Sequence, residues 1–316
     1  MKAVIPTANE TMPSWPNYTY EAALDASIKV QWRVEDLIGR GKQLDFTKPF
    51  MPETFARVEP LDFLSREERL VLNQIRGHDY LYIFGLVEEF ILPFVLDHAR
   101  PILRGNDARA RAFIAFAGEE AKHLELFRRF REDFLRSFGS NCEVIGPPEA
   151  IAQAVLSKHP LAVALVILHI EWMTQRHYLE SVVDNGNLDP QFRNLLKHHW
   201  MEESQHAKLD TLMVHAISDA CTDEERSNAI EGYLEIGGML DSGLMQQVKF
   251  DLESLKRATG REFTPEETER FLAVQQQATR WTFLGSGMSH KNFLSTVELV
   301  KSGSRARLEQ IVPLFS

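Results

Sequence analysis

Apolar residues recur every three or four positions over most of this chain, the spacing of one face of an α-helix. No stretch keeps a period-2 alternation with turns every ten residues. Ser65 with Glu68 forms a capping box and opens a helix running towards Arg76. His78 to Arg100 is the next periodic stretch, with a kink expected at Pro93. Asn106-Asp107 can cap a helix from Ala108 to Phe138, which Gly139 ends. A short helix over Glu149–Lys158 is followed by a strongly apolar one over Leu161–Asp184. Asp189-Pro190, with Pro at the first helical position, opens another that reaches Ala220. Helices over Asp223–Thr259, Thr264–Leu284 and His290–Val300 complete the pattern. The first 60 residues are broken by six prolines and read as an arm with one helix, from Tyr20 to Gly39. The expectation is an all-α chain of one domain: an arm (1–64), a helical core (65–220) and accessory C-terminal helices (221–316).

The 316 residues carry 35 Lys and Arg against 45 Asp and Glu, a net charge of −10, which argues against non-specific binding to nucleic acid or an anionic membrane. Cys142 and Cys221 have no CxxC spacing, so a thiolate zinc site and a dithiol redox site are excluded, and a cytoplasmic protein is expected. The opening MKAVIPTANETMP has no apolar core of a signal peptide. The longest apolar run, Leu161 to Ile170, falls far short of the ~20 residues that span a bilayer.

Two copies of Glu-Glu-x-x-His stand out, at Glu119-Glu120…His123 and Glu202-Glu203…His206, 83 positions apart. The same shift carries Glu88 onto Glu171, so each motif is preceded 32 positions earlier by a Glu in an apolar helix. Residues i and i+3 share a helix face, which points Glu120 with His123 and Glu203 with His206. Phe113, Phe116, Glu120, His123 and Phe127 fall on one stripe, so the acid lies within the apolar face. An unpaired carboxylate there is costly, and a metal ion compensates it. Glu88 is chosen over Glu89, which lies on the far side of its helix. One Glu from each of two helices and Glu-x-x-His from each of two others is the donor pattern of a two-metal carboxylate bundle. Oxygen and imidazole donors suit iron or manganese.

This arrangement resembles the ferritin-like di-iron carboxylate superfamily over residues 65–220. His199, four residues before Glu203, makes His-x-x-x-Glu-x-x-His, which is similar to the aminobenzoate N-oxygenase family. The resemblance implies seven ligands, Glu88, Glu120, His123, Glu171, His199, Glu203 and His206, around two Fe ions or a Mn/Fe pair, with no catalytic residue beyond them. His199 also reads as an ordinary buried histidine. The gap of 51 residues from Glu120 to Glu171 is short for that family and nearer to acyl desaturases. Metal-bound imidazoles need acceptors for their free N–H. Glu119 is paired with His206 and Glu202 with His123, as the resemblance implies, with Asp210 as an alternative partner for His206. Phe84, Phe116, Ile167 and Tyr178 are expected to line a substrate pocket. The implied activity is O2-dependent oxygenation, of an amine in the nearest family, or desaturation or hydroxylation of an acyl chain. Its partners would be O2, a small-molecule or carrier-bound substrate, an electron-donating reductase and a second copy in a homodimer. Iron storage or peroxide scavenging is disfavoured by the long additions at both ends.

Overall fold

The computed structural model describes residues 14–39, 41–105 and 107–315. They form α-helices α1 (Tyr20–Lys29), α2 (Val34–Leu37), α3 (Glu53–Ala56), α4 (Arg66–Ala99), α5 (Asp107–Phe138), α6 (Pro148–Leu156) and α7 (Pro160–His177). They continue with α8 (Pro190–Asp219), α9 (Asp223–Thr259), α10 (Pro265–Arg280), α11 (Ser286–Met288), α12 (Lys291–Val300) and α13 (Ser304–Ile311). No β-strand occurs among the described residues, and the fold is all-α. The arm before residue 14 and the expected Asn106 cap lie outside the described residues.

The core is built of two helical hairpins, α4 with α5 and α7 with α8, whose members pack most extensively on each other. Each hairpin contributes one isolated Glu and one Glu-x-x-His. Helix α1 lies on α5 and α8, α9 covers α4 and α7, and α10 packs on α9. Among the described residues, no helix is long and apolar enough to cross a membrane.

The capping box at Ser65 forms, and others close at Thr222 with Glu225 and at Thr264 with Glu267. Asp189 caps α8 through Phe192 N at 2.6 Å. The two helices expected on either side of Gly77 are one, and α4 also continues through Pro93. Gly77 stays in the helix because it is a packing point. A Cβ there would lie 2.8 Å from Phe50 Cβ and 3.3 Å from the Phe192 ring. Those two rings stack at 5.2 Å. The helix expected over Tyr20–Gly39 ends at Lys29, and Val34–Leu37 forms a separate turn. The expected helices to Asp184 and Leu284 both relax into π-helical turns, Tyr178–Val182 and Trp281–Gly285. Helix α13 has no counterpart in the sequence expectation.

Candidate metal centre

Glu88, Glu120, His123, Glu171, His199, Glu203 and His206 are all buried in the bundle core. Glu89 is exposed on the opposite flank of α4. Two groups of donors converge so that their nearest atoms all lie within 4.8 Å of one another. One is Glu88, His123, His199 and Glu203; the other is Glu120, His123, Glu203 and His206. His123 and Glu203 belong to both. Glu171 lies outside the two groups, with its carboxyl facing Glu203.

The short contacts run inward. His199 Nε2 lies 2.7 Å from Glu203 Oε1, His123 Nδ1 3.1 Å from the same oxygen, and His206 Nδ1 2.9 Å from Glu120 Oε1. Yet among the described residues these atoms make no hydrogen bond of proper geometry, nor do both Glu120 oxygens, Glu88 Oε2 and Glu171 Oε2. Buried polar atoms are nearly always satisfied. Donor atoms that converge on a point without bonding each other are arranged as ligands.

The outer nitrogens are, in contrast, firmly held. His123 Nε2 lies 2.9 Å from Glu202 Oε2, and His206 Nε2 2.7 Å from Glu119 Oε2. Each carboxylate accepts the N–H, which turns Nδ1 of both rings towards the cluster, where it offers a lone pair once its proton leaves. The acceptor of each histidine comes from the other Glu-Glu-x-x-His helix. Lys122 bonds Glu202, and Glu119 also accepts from Ser27 Oγ and from Gln205 Nε2 at 3.0 Å.

Electrostatics describe the metal-free protein. Burial works against charge on Glu203, but His199, the Glu171 hydrogen bond and His206 outweigh it and hold the carboxylate well below its usual range. Burial and then the Glu203 charge push Glu171 well above its usual range, so Glu171 keeps its proton. His123 overcomes burial through Glu120 and Glu202 and rises to about 9, and His206 is raised as well. The cations that hold Glu120 and Glu203 down are imidazoles rather than lysines or arginines. Protons stand in for cations, and divalent ions bound by these atoms would displace them.

Aromatic walls dry the cluster. Phe116 stacks on the His206 ring at 4.0 Å, and Phe84 and Phe127 meet His199 edge-on at 5.3 and 4.9 Å. Trp32 lies parallel to His123 at 6.0 Å, with Lys122 Nζ 4.0 Å from its centroid. Ser27 and Trp32 come from the arm and carry no signal in the sequence. Gln205 and Lys122 adjoin the motif histidines, a position that hints at their role.

Other expectations need correction. Asp210 does not serve His206, whose outer nitrogen is taken by Glu119. Both Asp210 oxygens are buried without a hydrogen-bond partner among the described residues, and burial raises its pKa well above the usual range. Of the expected pocket residues, Phe84 lines an apolar cavity of about 120 Å³, but Phe116, Ile167 and Tyr178 do not. Phe116 is spent on His206, Ile167 is core, and Tyr178 stacks on Trp200 at 4.4 Å. The cavity opens on the side of α4 and α7 that faces α9. A helical wheel does not find that side, because every residue from Leu161 to Gln175 is buried.

No family model matches this chain, and no curated protein does. Among solved structures, a variant of an R2-like ligand-binding oxidase with an aerobically reconstituted Mn/Fe cofactor aligns over 92% of this chain and 99% of its own, at 14% identity and a TM-score of 0.46. A second variant of that oxidase, reconstituted anaerobically with Mn/Fe, covers 90% of this chain and 98% of its own at 14% identity and a TM-score of 0.44. Likeness this loose carries no inference, and the assignment of the centre stands on its own atoms.

Proposed function

We propose that this chain is a di-metal, O2-activating oxidoreductase, with iron or a manganese–iron pair as cofactor and N-oxygenation of an amine as the favoured reaction. The carrying observation is the opposed arrangement of His123 and His206, with outer nitrogens locked by Glu202 and Glu119 and inner nitrogens turned to buried, unbonded carboxylate oxygens. Glu88, His123, His199 and Glu203 would hold one ion, and Glu120, His123, Glu203 and His206 surround the position of the other. Glu171, beside Glu203, is the seventh donor once its proton leaves. Bound metal supplies reducing electrons to O2 and an oxidising centre for substrate. The protein fixes the imidazole tautomers, keeps water out with Phe84, Phe116 and Phe127, and stores a proton on Asp210. The third imidazole, His199, would add a nitrogen donor at one ion and so tune its ligand field. A reductase as electron donor is part of this reading.

Metal analysis of protein produced in iron- and manganese-replete medium tests it. Two metal equivalents per chain and reductant-dependent O2 uptake are expected. Protein that retains no metal after gel filtration, or bound metal that leaves O2 uptake at background, overturns it.

A further inference from the structure

The cavity beside the cluster has walls of one chemical kind. Its lining side chains come from α4, α7, α9, the 281–285 turn and the loop and helix around Ile145 and Ile151, and each is aliphatic, aromatic, thioether or glycine. None carries a nitrogen or oxygen. Phe84 belongs both to this wall and to the surroundings of His199. Val87 lies next to Glu88, and Ile170 next to Glu171. The cavity therefore abuts the two helices that bring the single glutamates.

Gly243 sets the space. It sits inside the 37-residue helix α9, where glycine costs about 1 kcal/mol against alanine. A Cβ there would meet only Ile145 Cδ1, at an ordinary 3.4 Å. Backbone geometry does not demand this glycine, and a longer side chain would enter the cavity.

We propose that this cavity binds a neutral, apolar group the size of a single six-membered ring, and that the substrate is an amine bearing such an uncharged ring rather than an aminobenzoate anion or a long acyl chain. An apolar cavity of about 150 Å³ stays dry and takes up benzene or xenon, and the space here is of that order. A carboxylate would enter without a single donor to meet it, at a cost of several kcal/mol. A chain much longer than about six carbons would extend beyond the apolar walls. The substrate class rests on the oxidoreductase reading; the binding itself does not.

The test measures binding to the purified full-length chain, metal-free and metal-loaded, by calorimetry and thermal shift. Toluene is expected to bind and raise Tm in both forms, while benzoate, 4-aminobenzoate and decanoate do not. Xenon under pressure should give an anomalous peak between Phe84 and Gly243. Gly243→Leu should weaken toluene by roughly 10–100-fold while helix content and metal content stay as in the parent. Binding of 4-aminobenzoate or decanoate tighter than toluene overturns the proposal, as does a Gly243→Leu variant that binds toluene unchanged. Because xenon and toluene are read without metal, toluene binding by a chain that retains no metal would sink the oxidoreductase reading alone.

Discussion

Arg76 on α4 closes a 3.1 Å ion pair with Asp251 on α9, while the cations that lower Glu120 and Glu203 in the neighbouring cluster are all imidazoles. Around the first pair the protein supplies its own partners. Gln247 donates to Asp251 at 2.9 Å and to Glu143 O at 3.0 Å, and accepts from Ile145 N at 3.0 Å. Asp79 packs against the same acid, burial lifts both carboxyls, and one proton with Arg76 balances them. His78 beside them is neutral, since burial and then Arg131 push it down to about 3. Arg76 Nε, His78 Nε2 and Asp79 Oδ2 of this network also lack a hydrogen bond, but among the described residues only the Glu/His cluster, equally buried, gathers such donor atoms within 4.8 Å of one another. Burial alone therefore does not mark a functional site. A buried network whose acid meets a guanidinium and an amide holds helices together, and one whose acids and imidazoles converge without such a partner is arranged for something the chain does not contain.

Four substitutions probe that contrast, beginning with the largest effect. Glu203→Ala removes the carboxylate common to both donor groups, and loss of both metal equivalents is expected by elemental analysis, with helix content retained. A variant that kept both ions would refute the ligand assignment. Arg76→Met strands Asp251, and denaturant unfolding should show a loss of about 3–5 kcal/mol with metal content unchanged. Metal loss in that variant would mean that the two clusters act as one.

Glu202→Gln keeps the shape but weakens the acceptor for His123, and chelator competition should report about 10–100-fold weaker metal binding. Asp79→Asn gives the smallest change, visible only in pH dependence. Burial raises the Asp79 carboxyl from 3.8 to about 6, so the folded state holds a proton that the unfolded chain releases. That contribution is full below about 4 and is lost as pH rises through 6, so the parent should lose on the order of 1–2 kcal/mol across this window relative to Asp79→Asn. Equal slopes for the two proteins would remove Asp79 from the shared-proton account.

The all-α class and the placement of the ligand helices were legible in the sequence because they depend on local periodicity. Glu120 with His123 and Glu203 with His206 are neighbours by helical spacing alone. Helix ends were less legible where tertiary contacts overrule local signals, as at Gly77, where Phe50 and Phe192 require the missing Cβ. The cavity was largely hidden for a related reason. A helix buried on every side, like α7, has no polar face to show which direction leads to open space.

From residue order alone come the helices, the doubled Glu-Glu-x-x-His hairpin and the donors on its inward face, since a period of 3.6 residues converts spacing directly into orientation. Only tertiary packing decided that Ser27 and Trp32 of the arm would reach Glu119 and His123, 92 and 91 positions away. Packing also set α9, with its bare Gly243, as the far wall of the cavity. Contacts between such distant segments carry no period; they arise from which surfaces fit, and that is settled when the whole chain folds.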